Sequence, residues 1–383
     1  MKRVAVLGST GSIGTSTLEV IRSFPKLFRC EALAARGNIK ELSLQIKVFK
    51  PSVVCVFDPG KAAELSRFAG RRTRIVSGPE GLNEICRDLR VDSVVAAISG
   101  AEALGPVCSA VESGKEICLA NKECLVMAGS IIMKRAAASG AAIRPIDSEQ
   151  SAIWQCLLGE EGNRVKKIWL TASGGPFWKR KGSLARVRLA DALKHPRWKM
   201  GRKITVDSAT MMNKGLEVLE AMHLFNVSPS DIEVVIHPGS VVHSMVEFED
   251  GTVKAQLSAT DMRIPIQYAL SFPRRLPSKL AGLDFFALGA LDFHRPDTRR
   301  FPCLALAYEA ARKGGSLPCV MNAANEAAVA AFLGGRLTFT AIPGVIAKVM
   351  VRHRVIREPR LAEIMAADRW AREESNALLE RDR

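Results

Sequence analysis

The sequence predicts an α/β chain with a doubly wound N-terminal domain, a central α+β domain and a C-terminal helical bundle. Three observations carry that expectation. Short apolar runs alternate with helical patterns through the first 146 residues, the rhythm then shifts to strands and a hairpin, and the chain from Phe301 onward reads as helices. A length of 383 residues exceeds what one core serves, so several domains are expected.

Taken in order, the candidate strands are Val4–Leu7, Cys30–Ala34, Val53–Val56, Arg74–Val76, Ser93–Ala97, Glu116–Ala120 and Ala142–Ile146, with helical patterns such as Ser16–Ser23 and Ala103–Ser113 between them. That alternation assigns 1–146 to a doubly wound, mostly parallel sheet. The second segment, 147–271, holds a strand Val165–Leu170, a basic loop-like stretch, one helix from about Ser208 to Phe225, a strand Ile232–Ile236 and the stretch VEFEDGTVKAQL. Asp250-Gly251 between alternating residues signals a hairpin. Residues 272–300 carry Pro273, Pro277 and Pro296 among scattered charges and read as an extended linker. CLALAYEAARK, NAANEAAVAAFLGG and LAEIMAADRWAREESNALL give 301–383 its helices.

Composition narrows the function. Hydrophobic residues make up 48% of the chain, which suits a globular protein. No apolar run is long enough to span a bilayer, and the N-terminal MKRVAVLGSTG is too short in apolar character for a signal peptide, so a cytoplasmic protein without a membrane partner is expected. The nine cysteines lie mostly in apolar runs such as VVCVF and contain no CxxC pair, which reads as buried thiols in a reducing compartment rather than a zinc site. A net charge of +16 raises nucleic-acid binding. The basic residues are scattered as pairs such as Arg71-Arg72 and Arg274-Arg275, however, with no basic arm. A surface that attracts small phosphorylated molecules explains the charge more simply.

LGSTGSIGTST follows the first strand, with Gly8, Gly11 and Gly14 spaced GxxGxxG. Glycines let the backbone approach a pyrophosphate, and a helix N-terminus offers free N–H groups to the anion. Packing alone could also require them; their place after the first strand of an alternating pattern makes 1–146 a dinucleotide-binding domain. An NAD site usually carries an acid about 20 residues beyond the glycine motif. Here the second strand ends Ala34-Ala35-Arg36-Gly37-Asn38, with no acid and with an arginine able to meet a 2′-phosphate, so NADPH is expected.

Four polar groups could carry chemistry. Asn121, Lys122 and Glu123 follow an apolar strand, at the edge where open α/β sheets bind ligands; the plain alternative is an ordinary helix start. Asp147 and Glu149 flank Ser148 at the end of another strand, as a solvated helix cap or as ligands of something positive. In DSATMMNKGLEVLE, Asn213 and Glu217 share a helix face with Lys214 beside them. Ser208, Asn213 and Lys214 could clamp a phosphate, and Glu217 could join Asp147 and Glu149 as a third oxygen ligand for Mg²⁺ or Mn²⁺, or simply pair with Lys214. TASGGPF and KHPRWKMGRK border the basic stretch, and His195 and Trp198 are candidates for a lid over about 192–202.

In this order the motifs closely resemble the 1-deoxy-D-xylulose-5-phosphate reductoisomerase family, through GSTGSIG, ANKE, DSE, SGGPF, HPxWxMGRK, VDSATMMNKGLE, DMRxPI and NAANE. The resemblance spans nearly the whole chain. It implies an NADPH- and divalent-metal-dependent enzyme of isoprenoid precursor synthesis, acting on a phosphorylated ketose as a homodimer of three-domain protomers. Carried over by position, Asp147, Glu149 and Glu217 match metal ligands. Lys122, Ser148, Glu149, Ser173, His195, Trp198, Ser208, Asn213, Lys214 and Glu217 match the substrate site, with Lys122, Glu149 and His195 implied in catalysis. Thr10, Gly11, Ser12, Ile13, Arg36, Gly37, Asn38, Asn121, Glu123 and Gly201 match cofactor contacts.

The chain departs from the family pattern at Gln150, where His is common, at Gly239, where Gln is common, and in ARGN, where Gly then a basic residue is frequent. Two rivals stand beside this reading. One is a metal-free NADP-dependent dehydrogenase of a phosphorylated substrate, which needs a nucleophilic cysteine in a polar turn. The other is a basic nucleic-acid-binding protein, which a salt titration exposes.

Overall fold

The computed structural model describes residues 1–67, 70, 72–198 and 200–381, and divides them into two compact units. Arg71, part of one expected basic pair, and Lys199, within the expected lid, lie outside the described residues.

The first unit comprises Met1–Cys124, Ile132–Ser151 and Asp261–Lys279. Its elements are β1 (Lys2–Leu7), α1 (Ser12–Ser23), β2 (Phe28–Ala35), α2 (Ile39–Phe49), β3 (Val53–Val56), α3 (Pro59–Ser66), β4 (Arg74–Ser77), α4 (Gly78–Arg87), β5 (Ser93–Ala96), α5 (Leu104–Glu112), β6 (Glu116–Leu119), the start of α6 (Glu123–Ser139), β7 (Ala142–Pro145) and the start of α7 (Ser148–Leu157). All seven expected strands form, each within two residues of the expected ends, in one parallel sheet ordered β4-β3-β2-β1-β5-β6-β7. The central strands are apolar on both faces because helices cover both; Val4, Val6, Leu33, Val54, Val95 and Cys118 are fully or nearly buried. The strand order reverses beside β1, between β2 and β5, where doubly wound sheets bind ligands beyond the strand ends.

The second unit comprises Leu125–Ile131, Ala152–Thr260 and Leu280–Arg383. It contains β8 (Val165–Ala172), α8 (Leu189–Ala192), α9 (Arg202–Thr210), α10 (Met212–Phe225), β9 (Ile232–Ile236), β10 (Val242–Phe248) and β11 (Val253–Leu257). These strands form a sheet ordered β11-β10-β8-β9, with β8 antiparallel to β10 and parallel to β9. The expected hairpin joins β10 to β11, and Gly251 takes the left-handed position of its turn at φ +84°. Next comes α11 (Arg263–Ser271), which belongs to the first unit, and then α12 (Phe285–Leu288), α13 (Pro302–Lys313), α14 (Leu317–Leu333), α15 (Ile342–Arg352) and α16 (Leu361–Arg381).

This division differs from the four segments expected from sequence, for identifiable reasons. The α11 helix buries Ile266, Ala269 and Leu270 in the core of the first sheet. Lys2 and Arg144 donate to the carbonyls of Leu270 and Ala269, and both pair with Glu116. The C-terminal helices share one apolar core with the second sheet and α10: Ile168, Leu170, Leu216, Leu219, Leu304, Val320 and Phe332 all belong to it. The expected linker is not wholly extended. It makes the short helix α12, and His294 bridges to Ile236 at the edge of β9.

A second correction concerns the helix expected from Ser208 to Phe225. The structure has two helices, α9 and α10, separated at Met211 with φ +62°. The Thr210 hydroxyl donates to the Asp207 carbonyl and accepts from the Met212 N–H, taking over backbone bonds that a continuous helix would make. Asp207 and Ser208 therefore lie in the last turns of one helix rather than opening the next.

Candidate active site

In the first unit the glycine turn sits at the C-terminal end of β1. Gly8 has φ +86°, and a Cβ there would come within 2.4 Å of the Ala97 carbonyl oxygen. A Cβ on Gly14 would lie 2.2 Å from the Gly8 oxygen, so these two glycines let α1 close against the strand. Gly11 precedes α1 with no side-chain cap, which leaves the first-turn N–H groups of Ser12 and Ile13 available to an anion. Thr10 is half-buried beside them. Arg36 is exposed just past β2 and pairs with Glu102 at 3.2 Å. Asn38 accepts from the Glu41 N–H as the cap of α2, and Gly37 lies against the Lys61 side chain.

At the edge of the sheet opposite β4, the ends of β6 and β7 lie side by side, with Leu119 opposite Pro145. This pairing brings Lys122 and Asp147 together as an ion pair, with Lys122 5% exposed. Ser148 begins α7 and donates to Glu149. Asn121 works for the fold: its amide donates to the carbonyls of Ile98 and Gly100 and its oxygen accepts from the Cys124 N–H. Glu123, expected at the cofactor, opens α6 and is buried. Gln150 is fully buried in the first turn of α7.

In the second unit β8 runs into Ser173-Gly174-Gly175. Gly175 has φ +68°, and a Cβ on it would stand 2.6 Å from the Ser208 carbonyl oxygen, so glycine lets α9 and Ser208 approach the strand end. His195 Nδ1 accepts from the backbone N–H groups of Trp198 at 2.9 Å and Arg197 at 3.2 Å. That fixes the neutral ring with its proton on Nε2, which donates to Ser173 Oγ at 3.0 Å. Trp198 is half-buried and outside the apolar core, and Gly201 is exposed at the start of α9. On α10, Asn213 donates to Glu217 Oε1 at 2.6 Å and Lys214 pairs with Glu217 Oε2. Lys214 and Glu217 are 4% and 1% exposed. The plain reading of Glu217 as a partner of Lys214 is thus realised, and it does not exclude the other, since carboxylate oxygens also ligate hard cations.

Sequence reasoning missed three groups that shape these positions. Glu102 faces Arg36, but it lies 66 residues away and only the sheet order brings it near. Asp207, 1% exposed, is held by Asn325 Nδ2 at 2.9 Å and by Lys203 at 3.0 Å, which tethers the turn carrying Ser208 to α14; the NAANE motif was its signal. His237 donates from Nδ1 to the Asp292 carbonyl and stacks on Phe293, while a Cβ added to Gly239 would come within 3.1 Å of its ring, leaving no comfortable room there for a side chain.

The cysteine rival finds no candidate. All nine thiols are buried. Burial pushes Cys55, Cys86, Cys118 and Cys303 up to about 12, and Cys108 and Cys156 up to about 11.

A phosphate-binding turn on a doubly wound sheet, with an α+β unit supplying buried charged groups, defines a dinucleotide-dependent α/β oxidoreductase. Family models narrow the class. The 1-deoxy-D-xylulose 5-phosphate reductoisomerase model matches residues 4–129, its C-terminal domain matches 143–225, and the DXP reductoisomerase C-terminal domain matches 257–374. The chain is 48% identical over 382 residues to the 1-deoxy-D-xylulose 5-phosphate reductoisomerase of Endomicrobium trichonymphae, covering 99% of each. It is 50% identical to that of Thermodesulfovibrio yellowstonii, covering 97% of this chain and 98% of the relative. Among solved structures, DOX-P reductoisomerase in complex with NADPH, fosmidomycin and magnesium superposes with a TM-score of 0.94 at 42% identity, covering 99% of this chain and 98% of that one. The Zymomonas mobilis enzyme in complex with NADPH gives 0.92 at 40% identity, covering 99% of each chain. The chain belongs to the 1-deoxy-D-xylulose 5-phosphate reductoisomerase family.

Proposed function

We propose that this chain rearranges and reduces 1-deoxy-D-xylulose 5-phosphate to 2-C-methyl-D-erythritol 4-phosphate in isoprenoid precursor synthesis, using NADPH and Mg²⁺ or Mn²⁺. The observation that carries the reading is the end-to-end likeness to a reductoisomerase solved with NADPH, fosmidomycin and magnesium. In this reading the glycine turn and the open end of α1 receive the pyrophosphate, through Thr10, Gly11, Ser12 and Ile13. Arg36, with Gly37 and Asn38 beside it, takes the 2′-phosphate. Asn121, Glu123 and Gly201 are assigned to the nicotinamide side.

Asp147, Glu149 and Glu217 are assigned to the metal. Their chemistry fits a hard dication: all three are carboxylates, two half-buried and one buried. The bound ion supplies Lewis acidity for the carbon-skeleton rearrangement. Lys122, already beside Asp147, places its ammonium where charge builds on the substrate oxygens. Ser173, Ser208, Asn213 and Lys214 hold the phosphate, the first two brought close by Gly175. Ser148 orients Glu149 by its hydrogen bond. His195, fixed as a donor through Nε2, positions Ser173 and the substrate, while Trp198 covers the site and keeps water out.

A homodimer in the cytoplasm completes the reading, without nucleic-acid or membrane partners. Phe285 and Phe286 are 67% and 99% exposed, an apolar surface that a second copy would cover. Buried thiols suit a reducing compartment. No helix among the described residues is long and apolar enough to cross a membrane. The test is NADPH oxidation with the deoxyxylulose phosphate, with and without EDTA. Turnover that depends on substrate and stops in chelator supports the proposal; turnover indifferent to chelator overturns its metal half.

A further inference from the structure

We propose that Glu102 sets the cofactor preference of this enzyme, by competing with the 2′-phosphate for the Arg36 guanidinium. The inference rests on Arg36 as the 2′-phosphate site and deepens that reading. Arg36 follows β2, and Glu102 lies in a single 3₁₀ turn, Ala101–Ala103, after β5. In the sheet β2 and β5 are the two neighbours of β1. Strands flanking a common neighbour stand about 10 Å apart. The two side chains therefore reach toward each other across the end of β1, where the glycine turn lies, and meet at 3.2 Å.

The acid is placed there by the backbone. Gly100 turns the chain at φ +73°, and the Asn121 amide holds the Ile98 and Gly100 carbonyls at 2.7 and 3.0 Å. The side chains themselves are accessible, 78% for Arg36 and 40% for Glu102, so the pair opens at little cost when a better anion arrives.

The two cofactors meet this pair differently. A 2′-phosphate takes the guanidinium through several oxygens, and must do so against the Glu102 carboxylate, a like charge held beside the same arginine. A 2′-hydroxyl can instead donate to Glu102, as ribose hydroxyls do to the acid of NAD sites. Glu102 therefore weakens NADPH binding and favours NADH, so the missing acid of the second strand is partly restored from the fifth.

The test is calorimetric binding of NADPH and NADH to the full chain, without substrate, for wild type, Glu102→Gln, Arg36→Gln and the double variant. Glu102→Gln is expected to tighten NADPH about three- to fivefold, in line with an exposed ion pair, and to leave NADH unchanged or weaker. The gain shrinks in 0.5 M salt, as roughly expected from a Debye length near 4 Å, and falls below about twofold in the Arg36→Gln background because the two sites act as a pair. An unchanged NADPH/NADH ratio in Glu102→Gln, while Arg36→Gln lowers that ratio, overturns the inference and leaves the Arg36 assignment standing. An unchanged ratio in Arg36→Gln overturns the assignment and the inference with it. Glu102→Ala, which frees Arg36 without an amide in place of the acid, must shift the ratio in the same direction as Glu102→Gln.

Discussion

Replacing Glu217 by glutamine separates the two roles of that carboxylate. Glu217 is 1% exposed and Lys214 4%, so the variant takes a buried carboxylate away from beside a buried ammonium. Breaking a buried ion pair from one side costs about 3–5 kcal/mol. Glutamine keeps a single acceptor oxygen, which turned to Lys214 gives the ammonium a neutral hydrogen bond at the expense of the Asn213 bond, and this places the expected loss near the lower end, about 3 kcal/mol. At roughly 2–4 °C per kcal/mol, Tm falls by about 6–12 °C. Adding Lys214→Met removes the ammonium as well and recovers at least half of the loss, the non-additivity of a directly coupled pair. The metal role reads out separately. Mg²⁺ in the millimolar range raises the Tm of wild type by binding the folded state, and does not raise that of Glu217→Gln. Turnover in the variant falls by more than the ~10–100-fold typical of losing an outer partner of a metal site. Thermal unfolding with and without Mg²⁺, followed by NADPH oxidation, measures all three effects. An unchanged Tm contradicts the buried pair, and equal Mg²⁺ stabilisation of variant and wild type contradicts Glu217 as a ligand.

Three further outcomes are expected. Arg36→Glu sets a second carboxylate beside Glu102 and narrows or reverses the preference for NADPH over NADH; an unchanged kcat/KM ratio in this variant shows that Arg36 does not meet the 2′-phosphate. Trp198 fluorescence, isolated by replacing the other tryptophans with phenylalanine, changes when a phosphorylated inhibitor and metal bind, and hydrogen exchange slows over 192–202. Exchange that is slow from the start and indifferent to ligand makes this a fixed loop. Burial raises the thiols well above their ordinary range, so at pH 8 a disulfide reagent such as DTNB labels less than one of the nine cysteines quickly, and all nine after denaturation. One fast-reacting thiol in the native enzyme reopens the cysteine-dependent dehydrogenase.

The first sheet was legible because parallel strands buried on both faces are written as unbroken apolar runs, such as VVCV and SVVA. The interruption at Met211 was not, because its cause is a threonine hydroxyl turned back on the backbone within a pattern that stays helical on both sides. The placement of α11 also escaped: Ile266 and Leu270 announce an apolar face, and nothing local says which sheet it covers. Motif residues were found readily, while their division of labour was not. Asn38 and Asn121 both satisfy backbone groups at helix starts, a role their residue type suggests as strongly as cofactor contact. Glu102 was invisible because its meaning comes from strand order alone.

The central claim is that one enzyme both rearranges a carbon skeleton and reduces the result. It is tested most directly by the product of a turnover with deoxyxylulose phosphate and NADPH deuterated at the transferred hydride, analysed by NMR and mass spectrometry. The account predicts a branched methyl tetrol phosphate carrying one deuterium, formed only when a divalent metal is present. A linear deuterated 1-deoxypentitol phosphate, formed equally well in EDTA, would contradict it and identify a simple dehydrogenase.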